Sequence, residues 1–400
     1  MNKKIMVLGA GPEQTLAIQA AIDLGYEVLA IDENPDAPGL SIAKWGFSSS
    51  LQDIERLIQL GIKYKVDGVF SHGVEIPVIV AKVAESLKLP GLKVDVAENC
   101  LHKFKRNQIL KENGLNVPLS FYFQNMQDLV KAKDALPFPC ILKPLSLSGA
   151  RGVQLIHSLD QLFETIKNHH FYGSEFMIEE VLEGMQLSTE SLVIDNKIYH
   201  LPPAKRNYDN QDFFLPFYIE DGVDFPAQLD KSTALKVQSA IEHSINALGI
   251  DFGAAKGDLY IVKGEPYILE MASRTSGGWF SVGTIKYATG IDILTPLLQS
   301  AVGDIPNLEC LSATKKLAAA QRYWISKEQG ILKSVVNNNS PKSLDNISQF
   351  DIFFPPLGTE IIKAKSHADR YAQTICVSSN LEEAVLTAEE TIKKIEVTYE

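Results

Sequence analysis

The first hundred residues alternate between short apolar runs and amphipathic stretches. Ile5-Met6-Val7-Leu8 is a run of four apolar residues stopped by Gly9-Ala10-Gly11-Pro12. Such a run reads as a strand covered on both faces. A helical spacing follows through Leu24 and is closed by Gly25, and residues 26–31 read as a second strand ending at Asp32. A helix over 51–61, a strand over 67–70 and a helix over 77–87 continue the alternation. Strands separated by helices predict a parallel sheet wound with helices, here over residues 1–102. The pattern changes after residue 117. Strands are predicted at 139–143, 153–156, 175–180, 188–194, 197–201, 258–262 and 266–271, several of them in hairpins, with one helix over 159–167. This is an α+β pattern rich in antiparallel signals. A third unit, 301–400, holds the polar loop Asn337-Asn338-Asn339-Ser340-Pro341 and ends in a helical pattern over 381–395.

Composition narrows the class. Hydrophobic residues make up 45% and charged residues 22%, as in an ordinary soluble chain, and the net charge is −11. That balance argues against a surface built for nucleic acid or anionic lipid. No apolar stretch is long enough to span a membrane, and the run at 5–8 stops too soon for a signal peptide. The four cysteines, Cys100, Cys140, Cys310 and Cys376, form no CxxC pair, so reduced thiols in the cytoplasm are expected.

Four segments carry candidate chemistry. Gly9-x-Gly11 after a strand, with Asp32 after the next, hints at a dinucleotide site. The position of the third glycine is Gln14, however, which disfavours NAD. Lys143 ends a strand and leads into Ser146-Leu147-Ser148-Gly149-Ala150-Arg151-Gly152, a loop suited to wrapping phosphate oxygens with backbone N–H groups; a surface hairpin is the plain alternative. Phe176-Met177-Ile178-Glu179-Glu180-Val181-Leu182 runs an apolar strand into acidic residues, as an interdomain hinge does. Asp258 and Glu270 lie on two strands joined by Gly264-Glu265-Pro266. Facing carboxylates would repel unless a cation lay between them, and Mg²⁺ carrying nucleotide phosphates suits hard oxygen ligands. Arg274 follows four residues on and could neutralise a transferring phosphoryl group.

In this order and spacing, Lys103, Lys143, the Ser/Gly loop, the Glu179 hinge, the Asp258/Glu270 hairpin and Arg274 resemble the ATP-grasp superfamily over nearly the whole chain. The match is closest to carboxylate–amine (L-amino acid) ligases, with similarity to carbamoyl phosphate synthase large subunit and biotin carboxylase. Residues 103–118 resemble that family's entry segment. Phe353-Phe354-Pro355-Pro356-Leu357-Gly358 with Ala368-Asp369-Arg370 resembles its small C-terminal domain. The resemblance implies a Rossmann-like domain (1–102), an ATP-grasp domain (103–300, with a lid over about 118–178) and a C-terminal α+β domain (301–400). It implies ATP held by Lys103, Lys143, Ser148 and Gly149, with adenine at Glu179, Glu180, Val181 and Leu182. Gln186 would stand at the ribose, and Glu190 would face the nucleotide or the reaction centre. Lys205 or Arg206 would approach the phosphates. Asp258 and Glu270 would hold Mg²⁺ (or Mn²⁺), and Arg274 would stabilise the acyl-phosphate step.

One departure stands out. Carboxylating and carbamoyl-phosphate-forming members carry Asn two residues after the second metal Glu, whereas this chain has Ala272, so one ligand oxygen is missing. The expected reaction is ATP-dependent ligation of a small carboxylate to an amine through an acyl phosphate. The alternatives are an enzyme that activates bicarbonate and a nucleotide-binding protein without turnover. His72, Glu75, Trp279 and Arg322 are motif-free candidates for lining the substrate pocket. A homodimer is a possible assembly, homodimers being common among soluble enzymes.

Overall fold

The computed structural model describes residues 2–145, 147–169, 172, 175–339 and 347–400. Ser146 of the glycine-rich loop and Ser340-Pro341 of the polar loop lie outside the described residues.

The N-terminal strands Trp45–Ser48, Glu27–Asp32, Lys4–Leu8 and Gly68–Phe70 form a parallel sheet in that order. Helices lie on both of its faces, and for that reason Ile5, Met6, Val7 and Leu8 are all fully buried. Its turn at Gly9-Ala10-Gly11 is satisfied from within the chain. The Ala10 N–H donates to Asp32 Oδ2 at 2.6 Å, and the Ala10 carbonyl accepts from Gly39 N at 2.8 Å. The acid that would read a ribose in a dinucleotide fold is therefore already bonded to the turn itself.

Ser120–Phe123, Phe176–Glu180, Cys140–Pro144 and Gln154–Ile156 make a small antiparallel sheet in the order given. With the helices Met126–Ala132 and Leu159–Asn168 it buries its own core of Phe123, Leu142, Leu162 and Phe176. Among the described residues the large sheet has nine strands. It runs from the hairpin Glu265–Ala272 and Gly253–Val262, through Met185–Ile194, Ala204–Asn207 and Gly222–Phe225, to Ala318–Ile325, Arg370–Ser378 and Ile347–Ile352, with Lys197–His200 paired to Met185–Ile194. The C-terminal strands thus continue the central sheet across residue 300.

The helix Lys231–Leu248 covers the back of the hairpin. Asp230 caps it by accepting from Ser232 N and Thr233 N, and Gly249 closes it at φ 74°, where a side chain would be strained. Its buried Val237, Ile241, Ile245 and Leu248 pack on Leu187, Leu259, Ile268 and Met271. At the C-terminus the helix expected over 381–395 stops at Lys393. Ile395–Tyr399 is a strand paired with Gly330–Asn337, so the final alternation Ile-Glu-Val-Thr-Tyr is read by a partner strand.

Candidate active site

Alternate residues of a strand share a face. Because Leu187, Leu259 and Met271 face the covering helix, Lys256, Asp258 and Tyr260 face the other way, beside Gln186, Ser188 and Glu190 on the adjoining strand. Asp258 stands directly across from Glu270, and Lys256 across from Ala272; the register shifts just after Asp258. This face floors a cavity of about 1410 Å³, roofed by the small antiparallel sheet and closed at one end by the N-terminal unit.

The floor is densely charged. Asp258 accepts from Ser188 Oγ at 2.8 Å on Oδ1, and from Arg206 at 2.7 Å on Oδ2. Lys256 Nζ donates to Asp258 Oδ2 as well and to Glu270 Oε2 at 2.7 Å, so its ammonium lies between the two carboxylates. Burial alone would depress the Lys256 ammonium, but Asp258 and Glu270 outweigh it and hold its pKa above the ordinary value. Burial would likewise raise Glu270, yet Lys256, Arg106 and Arg274 together hold its carboxyl well below the usual range. Arg206 also pairs with Glu220. Arg274 donates Nε to Glu75 Oε2 at 2.8 Å, which ties it to the N-terminal unit. Two facing acids suit one divalent ion whose shell phosphate oxygens complete. Among the described residues no group of three His, Cys, Asp or Glu could hold a metal by itself.

The roof and the helix Lys103–Glu112 beside it bring two lysines to the cavity. Lys143 pairs with the buried carboxylate of Glu179, which also accepts from Asn107 Nδ2 at 3.1 Å. Lys103 Nζ donates to the carbonyls of Leu145 at 3.0 Å and Leu147 at 2.7 Å, fixing the start of the glycine-rich loop. Burial lowers its pKa to about 8. Ser148 and Gly149 line the cavity mouth; Gly149 sits at φ 65° and its carbonyl accepts from His367 N at 3.1 Å. Glu180, Val181 and Leu182 line the same cavity where roof meets floor, with Gln186 beyond them.

Several expected residues fall elsewhere. Lys205 is exposed and lies near Asp224 at 4.0 Å, away from the cavity, because strand alternation turns it opposite to Arg206. Of the two, Arg206 is the one at the site. Glu190 shares the face of Gln186 and Ser188 but is fully buried outside the cavity, under the segment whose Ser276 N (2.9 Å) and Ser281 hydroxyl donate to its Oε2. Burial raises its pKa. His72 is buried against Thr275 Oγ1 at 2.9 Å, in a seam where Glu13 accepts from Gly278 N and Trp279 N. Trp279 stacks on Phe353. Arg322 projects from the opposite sheet face into a separate cavity of about 560 Å³, paired with Asp224 at 2.8 Å. Of the four motif-free candidates only Glu75 reaches the large cavity. Reading the sequence missed Lys256, Arg106, Glu220, His367 and Arg370, all of which line it. Two of them left a signal: Lys256 stands two residues before Asp258 on the same strand face, and Arg370 ends the segment Ala368-Asp369-Arg370 without having been assigned to the site.

Comparison with known proteins agrees with this architecture. Residues 109–281 match the family described as D-ala D-ala ligase C-terminus. A formate-dependent phosphoribosylglycinamide formyltransferase of Wolinella succinogenes is 25% identical over 278 residues, which cover 68% of this chain and 70% of that protein. D-alanine–D-alanine ligase A of Bacillus cereus is 25% identical over 267 residues, covering 63% of this chain and 82% of the other. Among solved structures, an L-amino acid ligase from Bacillus licheniformis superposes over 100% of this chain and 99% of its own, with a TM-score of 0.86 at 23% identity. The matched segment takes in Lys143, Asp258, Glu270 and Arg274, and the chain shares the fold of the L-amino acid ligase over its length. The proteins it resembles here, two ligases and a formyltransferase, are all enzymes. Among the described residues no helix is long and apolar enough to cross a membrane.

Proposed function

We propose that the chain joins a small-molecule carboxylate to an amine, forming an amide or peptide bond at the expense of ATP. The observation that carries this reading is the convergence on one cavity of the Asp258/Glu270 pair, Arg274, Lys143 and Lys103. At about 1410 Å³ the cavity exceeds the roughly 300–1,000 Å³ of a single small-ligand site, leaving room for a nucleotide and two further reactants.

In this reading a carboxylate oxygen attacks the γ-phosphorus, and the bond from that phosphorus to the β,γ-bridging oxygen breaks, releasing ADP. The amine nitrogen then attacks the acyl carbon, the carbon–oxygen bond to phosphate breaks, and the nitrogen loses a proton. The chain's work is positioning and charge neutralisation. Lys143 and Lys103 face the phosphates, and Ser148 and Gly149 cover them and exclude water. Glu179 to Leu182 hold adenine at the junction of roof and floor, and Gln186 hydrogen-bonds a ribose hydroxyl. Arg274, held by Glu75, meets the charge that develops on the transferring phosphoryl group. Asp258 and Glu270 would hold Mg²⁺, which would supply electrophilic stabilisation to the phosphate oxygens. The division into units 1–102, 103–300 and 301–400, location in the cytoplasm and a homodimer belong to the same reading; sedimentation velocity measures the last.

The test is release of ADP and phosphate with pooled amino acids, repeated with bicarbonate alone, with an Asp258→Asn/Glu270→Gln variant as control. Amino-acid-dependent release that the variant abolishes supports the ligase. Release with bicarbonate alone would replace it with a carboxylating enzyme, and nucleotide binding without release under any condition would point to a protein without turnover.

A further inference from the structure

Two carboxylates brought face to face on neighbouring strands need a positive charge between them. Here that charge is already covalently part of the chain. Lys256 Nζ bonds both Asp258 and Glu270, and it reaches them from the position directly across from Ala272. No arginine bonds both acids: Arg206 shares its charge with Glu220, Arg274 with Glu75, and Arg106 hydrogen-bonds the carbonyls of Cys100 and Leu269. Asp258 has one lone-pair position left, on Oδ1, since Oδ1 accepts from Ser188 and Oδ2 from Arg206 and Lys256, which is room for one ion and not for a bridge between two. The residue across from Lys256 on the partner strand is Ala272, whose side chain offers no oxygen. Two-metal phosphoryl-transfer sites set their ions about 3.5–4 Å apart and share carboxylates between them. A second ion here would have to displace an ammonium 2.7 Å from Glu270 without gaining a third protein ligand.

We propose that Lys256 is a resident cation of the Asp258–Glu270 pair and takes the place of a second divalent ion, so that the nucleotide-bound protein carries one metal ion per chain. The proposal rests on the ATP-dependent reading above. It makes Lys256 a positioning residue that fixes both acids, leaving a single exchangeable ion to travel with the nucleotide.

The test counts metal, not turnover. The intact chain is saturated with a non-hydrolysable ATP analogue and titrated with Mn²⁺. Free Mn²⁺ is read by electron paramagnetic resonance, and bound nucleotide is measured in the same sample. One Mn²⁺ per bound nucleotide is expected, whereas two in the wild-type chain would overturn the proposal without touching the ATP reading. A Lys256→Met/Ala272→Asn variant removes the ammonium and restores an oxygen opposite it. With its melting curve confirming that it folds, it should bind two, and a count that stays at one would show that these positions do not set the number. The wild-type count stands even if that variant fails to fold. If the wild-type chain binds no nucleotide, the ATP reading falls, and this proposal with it.

Discussion

Glu75 lies 199 residues from Arg274 in sequence, yet its carboxylate accepts from both Nε and a terminal nitrogen of that guanidinium. Replacing Glu75 with Gln keeps shape and hydrogen-bonding capacity and removes only the charge. Arg274 keeps its charge and a charge-assisted hydrogen bond to the amide oxygen, so what is lost is the charge–charge part of a partly exposed pair, about 1 kcal/mol, a factor of roughly 5. Arg274 keeps its own bond to the Thr275 carbonyl at 3.1 Å and its attraction to Glu270 and Asp258, so it stays near the site. The loss should fall on kcat, because the arginine is assigned to charge that develops during transfer, while KM for ATP stays within about twofold. Removing the guanidinium itself, as in Arg274→Ala, should cost about 10²–10³ in kcat, the scale for one donor of transition-state charge. Stability should fall by less than about 1 kcal/mol in the Glu75 variant, since the pair is partly open to solvent. The assay is steady-state ADP release once substrates are known, or slow substrate-independent ATP hydrolysis before that, alongside thermal melts. The reasoning fails if Glu75→Gln matches Arg274→Ala in kcat, which would make Glu75 itself a reacting group, or if it raises KM for ATP with kcat unchanged.

Other consequences are open to measurement. Lys103 sits at about 8 in the free protein, below the ordinary lysine value of about 10.4, so its depressed pKa contributes stability that is present above 10.4 and lost as pH falls through 8. A polyphosphate arriving beside it raises that pKa again, so nucleotide binding at pH 8 should take up about half a proton per site. Calorimetry in two buffers of different ionisation enthalpy reads this uptake, and Lys103→Met should abolish it. Lys143→Met leaves the buried Glu179 carboxylate with only Asn107 and should destabilise the chain by about 3 kcal/mol. Lys143→Met/Glu179→Met should recover most of that loss in a denaturant melt while nucleotide affinity stays weak; recovery of both would remove Lys143 from the phosphate site. Gly184→Ala puts a Cβ 2.1 Å from the Ile261 carbonyl at φ 152°, so it should lower the melting temperature and displace the segment from Glu180 to Gln186, read as a weaker adenosine affinity.

The features legible in the sequence were those whose signal is local. Ile5 to Leu8 announced a strand buried on both faces because four apolar residues in a row admit few other readings, and the Asp258/Glu270 hairpin showed through its Gly264 turn. What escaped was whatever a partner strand decides. Lys205 and Arg206 are adjacent, and their own segment gives no reason to prefer either. The choice is made by register, since Ala204 pairs with Ser188 and so puts residue 206 on the face of Gln186 and residue 205 on the other. The same logic hid Lys256, which in Ala-Ala-Lys-Gly-Asp looks like a solvated lysine among small residues until Ala272 is found opposite it. Ala272 had been legible as a missing ligand oxygen, a loss to the site. Across the hairpin it is half of an exchange: an oxygen is absent on one strand and an ammonium is present on the next, and both changes make the pair of acids a poorer host for a second metal ion.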